Sequence, residues 1–276
     1  MNFNMIKRFS AFILLCVAQA ASSAMLLPAI SQGQILSRGD LFGPGAPPPM
    51  AGIEIGIGQH SEMGILACDC NSTFTGGTGK GLIGSLFFEL PLDYEWAIGV
   101  KAGIDFKNFS TVTALTEIVV VVHADSQTST QPLYVNRTAN IKTTYLDFAP
   151  YVQYQFFRMG PFVQAGLGFG FLMSNSLSQT RELSQGETAN VGGQSVPVTF
   201  TNGTLTEVIQ GGSTTVSSMR LGLLLSAGYN IQVSERSIFS PLLTYDLPLT
   251  AAGNTGGQSW RIGSLYASAL LKFQLN

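Results

Sequence analysis

From about residue 51 onward, apolar and polar residues alternate with period two over most of the chain. Successive side chains of a strand point to opposite faces, so this pattern predicts strands with one apolar and one polar face. Eight runs carry it: residues 51–60, 80–90, 96–109, 141–156, 161–173, 217–231, 238–247 and 261–275. They are 10 to 16 residues long. A tilted membrane-crossing strand needs about 9–11 residues, whereas soluble strands average about 5–6. Three connections are short (91–95, 157–160 and 232–237) and the four between them are long (61–79, 110–140, 174–216 and 248–260). Strict short–long alternation predicts an antiparallel up-and-down barrel with tight turns and both chain ends at one rim, and long loops at the other.

The third run sets the two faces. Trp96, Ile98, Val100, Ala102, Ile104 and Phe106 fall on one, and Lys101, Asp105 and Lys107 lie on the other among small residues. A charge facing lipid at mid-membrane costs about 2–4 kcal/mol, so the charged face is the lumen. The same parity puts Leu146, Phe148, Leu167, Leu223 and Leu271 outward, and sends Tyr145, Tyr151, Gly166, Gly168, Gly170 and Tyr266 inward. Pro150 cannot donate to a ladder and predicts a bulge in the fourth run.

Inward charges over the eight runs are Glu54, Glu89, Asp105, Asp147 and Asp246 against Lys101, Lys107, Arg220 and Lys272, five acids and four bases. Strand direction places Glu54, Glu89, Lys101 and Lys272 in the short-turn half and the other five in the loop half. Near-balance in a low-dielectric lumen predicts mutual pairing. Arg220, with its planar fork, is expected to hold at least one of Asp246, Asp147 and Asp105. An eight-stranded barrel is just wide enough inside for its own side chains, which predicts a plugged lumen. Aromatics gather at run ends as interfacial girdles do: Phe88, Tyr94, Trp96, Phe156, Phe157, Tyr229, Phe239 and Phe273 near the short turns, and Phe109, Phe171 and Trp260 near the long loops.

Composition narrows the class. The chain is 45% hydrophobic and 11% charged, with net charge −2 and 31 glycines. That excludes long-range disorder and argues against a nucleic-acid partner, which calls for a basic excess. Past residue 24 no apolar run approaches the roughly 20 residues of a membrane-spanning helix. Residues 1–24 read as a signal peptide, with Lys7 and Arg8 before an apolar stretch at 11–17 and cleavage after Ala20 or Ala24. Residues 25–50 are rich in Pro and Gly and predict an extended lead-in to a barrel over 51–276.

Candidate chemistry is sparse. His60 falls at the outer end of the first run and His123 in the second long loop, neither beside a Ser–acid pattern that would carry nucleophilic catalysis. Cys68 and Cys70 flank Asp69 in the first long loop. In an exported protein a disulfide is favoured, either between the two, as a strained ring, or to a partner molecule; two thiols seldom complete a metal site. Gly76, Gly77, Gly79 and Lys80 lack phosphate-loop spacing and read as a glycine-rich hairpin tip. Residues 112–122 and 133–141 can extend the third and fourth runs, and 196–200 with 205–209 flank Asn202-Gly203, a hairpin signal. Protruding strands leave edges that can accept another chain.

Eight alternating runs, the signal peptide and the terminal Leu270-Leu271-Lys272-Phe273-Gln274-Leu275-Asn276 resemble the small bacterial outer-membrane β-barrels: the OmpX-like and PorT-like barrels and the OmpA membrane domain. The resemblance covers about residues 51–276. It ends with Phe273 three residues short of the end, where such barrels carry a terminal aromatic, and without the peptidoglycan-binding domain of full-length OmpA. It implies a Gram-negative outer-membrane protein in contact with lipid and the barrel-assembly machinery, with no cofactor or metal. The expected role is structural or surface-interacting, through external proteins or surfaces. The alternatives are a narrow porin-like channel and, third, a barrel-embedded enzyme.

Overall fold

In the computed structural model, residues 47–67, 73–122, 128–157, 159–183, 188–191, 194–200, 204–212, 216–255 and 258–275 are described. The signal peptide, most of the Pro/Gly-rich segment, Cys68, Cys70, His123 and Asn202-Gly203 lie outside them.

Eight strands form the wall: β1 (Met50–Gly64), β2 (Thr78–Pro91), β3 (Trp96–Val122), β4 (Thr128–Gln155), β5 (Pro161–Leu183), β6 (Met219–Tyr229), β7 (Ser237–Pro248) and β8 (Gln258–Gln274). Each pairs antiparallel with its sequence neighbours, and β8 also pairs with β1, which closes the ring. The all-β barrel therefore has the predicted strand count and order. Along β1, Ile53, Ile55 and Ile57 face out while Glu54, Gly56, Gly58 and His60 face in, and the other strands keep the parity read from sequence.

The tight turns stand where the short connections fall. Leu92 and Asp93 N–H both donate to the Trp96 carbonyl, at 2.8 and 3.3 Å. Gly160, at φ +134°, closes the β4–β5 turn in a conformation open to glycine. Ile231–Ser234 pairs with β7, so the third turn narrows to Glu235 and Arg236, tighter than the expected 232–237.

The other rim is built largely of strand. The third and fourth runs extend over 112–122 and 133–141 as the sequence allows: β3 and β4 stay in register from Trp96↔Tyr154 to Val122↔Thr128. β5 likewise continues to Leu183 and takes Thr206–Gly212 as a further neighbour. The expected 196–200/205–209 hairpin is replaced: Gln194–Pro197 pairs with Thr188–Val191, and 206–212 pairs with β5. Among the described residues, the link from Phe200 N–H to the Thr204 carbonyl, 2.9 Å, remains of it. Local turn chemistry loses here to a longer ladder offered by β5.

Two further expectations are corrected. Register passes Pro150 unshifted, with Pro150 facing out; the bulge is Met173 of β5, opposite the Thr144–Tyr145 step. That extra residue reverses the parity of β5, turning Leu177, Gln179 and Leu183 inward after Gly170. Phe109 and Trp260 are not girdle residues: both point inward and are fully buried, 5.4 Å apart between ring centroids. They lie above the apolar belt, where the lumen and not the wall needs filling.

Candidate functional site

The nine predicted lumen charges all point inward, and the structure gathers them into two groups. In the short-turn half, Lys101 Nζ lies 2.9 Å from Glu54 and Lys272 Nζ lies 3.1 Å from Glu89. Tyr151 donates its hydroxyl proton to Glu89 at 3.0 Å, and Gln164 Nε2 donates to Gln153 Oε1 at 2.9 Å. Phe87, Phe162, Leu242 and Leu270 pack among these charges as an apolar cluster.

In the loop half, Asp105, Lys107, Asp147, Arg220 and Asp246 meet. The Arg220 guanidinium reaches all three carboxylates: Asp246 at 2.5 Å, Asp147 at 2.7 Å and Asp105 at 3.1 Å. Lys107 Nζ lies 3.0 Å from Asp105 and 3.2 Å from Asp246, and donates to Ser264 Oγ (2.6 Å) and Tyr266 Oη (2.7 Å). Tyr266 in turn donates to Asp105 at 2.7 Å. Three acids against two bases leave an excess negative charge, which the Tyr266 hydroxyl helps to satisfy. The guanidinium stands where three carboxylates could otherwise have gathered a cation.

Glycine makes the room. A Cβ at Gly170 would come within 2.6 Å of both Arg220 Nε and Asp147 Oδ1. The inward glycines of β5 are thus the hollow into which Arg220 lies. Between the groups is a cavity of about 50 Å3, lined by Glu54, Lys101, Asp105, Asp147, Tyr151 and Arg220 among others, room for a few waters. Above the outer group, Phe74, Phe109, Ile141, Leu177, Trp260 and Ile262 close the lumen in an apolar layer.

His60, at the outer end of the first run, is fully buried in the lumen, its Nδ1 2.9 Å from Ser264 Oγ, a pairing that a separation of 204 residues hides in the sequence. Its Nε2 has no partner among the described residues. Glu62, one turn of the alternation further, is also inward and accepts from Gly77 N–H at 3.0 Å.

A second ionic group, which the sequence analysis does not identify, stands on the extensions of β3 and β4 and on β5. Above the rim, Arg137 Nε lies 2.7 Å and Arg181 Nη1 3.2 Å from Glu117, and Arg181 Nη2 reaches Glu207 at 2.5 Å. Phe200 covers Arg181 at 4.6 Å, beside Leu133, Val135, Leu183 and Val198. Extending the odd-number parity of β3 and β4 would have found Glu117 and Arg137. These contacts knit the upper parts of β3, β4 and β5 with 206–212 into a sheet standing clear of the barrel. β2 ends opposite Ser110 of β3, so residues 111–122 have a ladder on the β4 side only, among the described residues.

A family model described as an outer membrane protein beta-barrel domain matches residues 62–252. Matching solved structures include Ail, the attachment invasion locus protein of Yersinia pestis, at 12% identity and TM-score 0.31, covering 82% of this chain and 99% of that one. Neisserial surface protein A matches at 12% identity and TM-score 0.31, covering 84% and 100%. The outer membrane protein OprG from Pseudomonas aeruginosa matches at 14% and 0.33, covering 83% and 98%. Comparison of the sequence with the curated proteins finds no match.

Proposed function

The chain belongs to the outer membrane protein β-barrel domain family, and from that premise we propose that it is a sealed, non-enzymatic barrel that presents a protruding sheet to extracellular proteins or surfaces. The observation that carries this reading is the edge of β3 over residues 111–122, which has no ladder partner on that side among the described residues. Twelve residues rise about 40 Å along the strand and offer backbone donors and acceptors to an incoming strand. Ile118 and Tyr134, 77% and 65% exposed, add apolar contact area on the outward face of the same sheet. The barrel below supplies a rigid support: its charges are paired and its loop end is closed by Trp260 and Phe109. Burial of His60 beneath that layer supports a packing role over catalysis. Export by the residue 1–24 peptide and insertion by the assembly machinery complete the reading.

The test displays the full chain on cells and measures adhesion to immobilised matrix proteins and cultured epithelial cells. Lysines at Thr116 and Ile118 place charge along the edge, the device natural sheets use to repel added strands. Loss of adhesion with an unchanged heat-modifiable band supports the role; full adhesion by Thr116→Lys/Ile118→Lys refutes it. A narrow channel is the second reading, favoured by the cavity between the charge groups. Steady single-channel steps from purified protein in planar bilayers would put that reading first.

A further inference from the structure

Most cations of the described residues pair with carboxylates in the lumen or the external sheet. Lys80, Lys142, Arg236 and Arg261 do not; Arg236 stands at the short-turn rim, and the other three are exposed on the outer wall at the loop rim. Two share one register row. Gln59 of β1 stands opposite Lys80 of β2, Lys80 opposite Asn108 of β3, and Asn108 opposite Lys142 of β4. All four are exposed. Neighbouring strands lie about 4.8 Å apart, so the two ammonium groups sit on backbones about 10 Å apart with an amide between.

The next outward row toward the membrane centre is Ile57, Leu82, Phe106 and Thr144. The wall therefore changes from cationic to mainly apolar in a single step of the alternation. No outward carboxylate stands in the cationic row. The opposite rim carries Asp93, Glu95 and Glu235 against Arg236 among the described residues, all exposed. Among the described residues, the surplus of positive charge on the wall thus lies at the external rim.

We propose that Lys80, Asn108 and Lys142 form a site for the phosphate groups of an anionic lipid of the outer leaflet, with its acyl chains lying on Leu82 and Phe106. Each ammonium supplies donors and charge to a phosphate oxygen, and the Asn108 amide donates between them. A lipid is the fitting source because the apolar row is directly below the cations; a free phosphate has no use for it.

The experiment titrates the folded full chain in detergent with phosphatidic acid and reads bound lipid by native mass spectrometry. Inorganic phosphate serves as competitor. Wild type, Lys80→Gln, Lys142→Gln, the double variant, Lys80→Arg/Lys142→Arg and Arg236→Gln are compared. At about 1 kcal/mol for a lysine near an anionic surface, affinity falls about fivefold for each single variant and about 25-fold for the double. The double arginine variant and Arg236→Gln bind as wild type. All the substitutions are on exposed wall, and the heat-modifiable band verifies folding. Wild-type affinity in the folded double variant overturns the proposal, as does equal loss in Arg236→Gln. Displacement of the lipid by inorganic phosphate at comparable concentration also overturns it, because the site would then be one for free phosphate.

Discussion

Replacing Arg220 with leucine tests whether the lumen is as dry as its packing implies. The guanidinium touches Asp246, Asp147 and Asp105 within 3.1 Å, and its side chain is 12% exposed. Without it, three carboxylates share Lys107 alone, so the group passes from one excess negative charge to two. A single contact between unit charges at 4 Å is worth about 4 kcal/mol at an effective dielectric near 20. Desolvation cancels much of what the three contacts contribute, and breaking a buried pair costs about 3–5 kcal/mol. With a urea slope of about 2 kcal/mol per M, the unfolding midpoint of Arg220→Leu falls by about 1.5–2.5 M. The assay follows the folded band by heat-modifiable mobility against urea. Arg220→Leu/Asp147→Leu removes one charge of each sign and recovers part of the loss, since Asp105 and Asp246 keep Lys107. An unchanged midpoint in Arg220→Leu refutes the reasoning: the lumen would be wet enough to screen three carboxylates, and a conducting path would follow.

Three other outcomes are expected. Gly170→Ala drives a methyl against Arg220 and Asp147 and lowers the same midpoint by an overpacking cost of about 1–3 kcal/mol; a neutral result would mean that Arg220 lies elsewhere. Trp260→Ala removes the largest side chain of the outer layer, costs about 3–5 kcal/mol, and leaves planar-bilayer recordings silent because the Arg220 group still blocks the lumen. Mass spectrometry of the protein purified from outer membranes finds a mature N-terminus after Ala20 or Ala24, and an intact residue 1–24 segment there would refute the signal-peptide reading.

The wall of this barrel was legible because a strand has two faces and the membrane penalises charge on one of them. From 96 to 107 every charge falls on one parity, and no partner need be known to read that. The same local rule orders β1, β6 and β8, and it grouped the lumen charges by height, since height follows from position along a strand of known direction. Contacts across the lumen were a different matter. Arg220 meets Asp105, 115 residues away, and Ser264 meets His60, 204 residues away, only because the ring closes at a particular shear. The glycine hollow at Gly170 and the inward turn of Phe109 and Trp260 depend on the same closure. Above the rim the alternation continues in Glu117 and Arg137, diluted by Ser and Thr, so the sequence offers an extension of the two runs but not the contacts it makes. The ladder between β3 and β4, continued from β4 to β5, holds them as strand: hydrogen bonding along a neighbour's edge stabilises a sequence whose own pattern is weak. Sequence alone thus determined which way side chains face, a property of single strands, and tertiary structure decided which of them touch, a property of the closed ring.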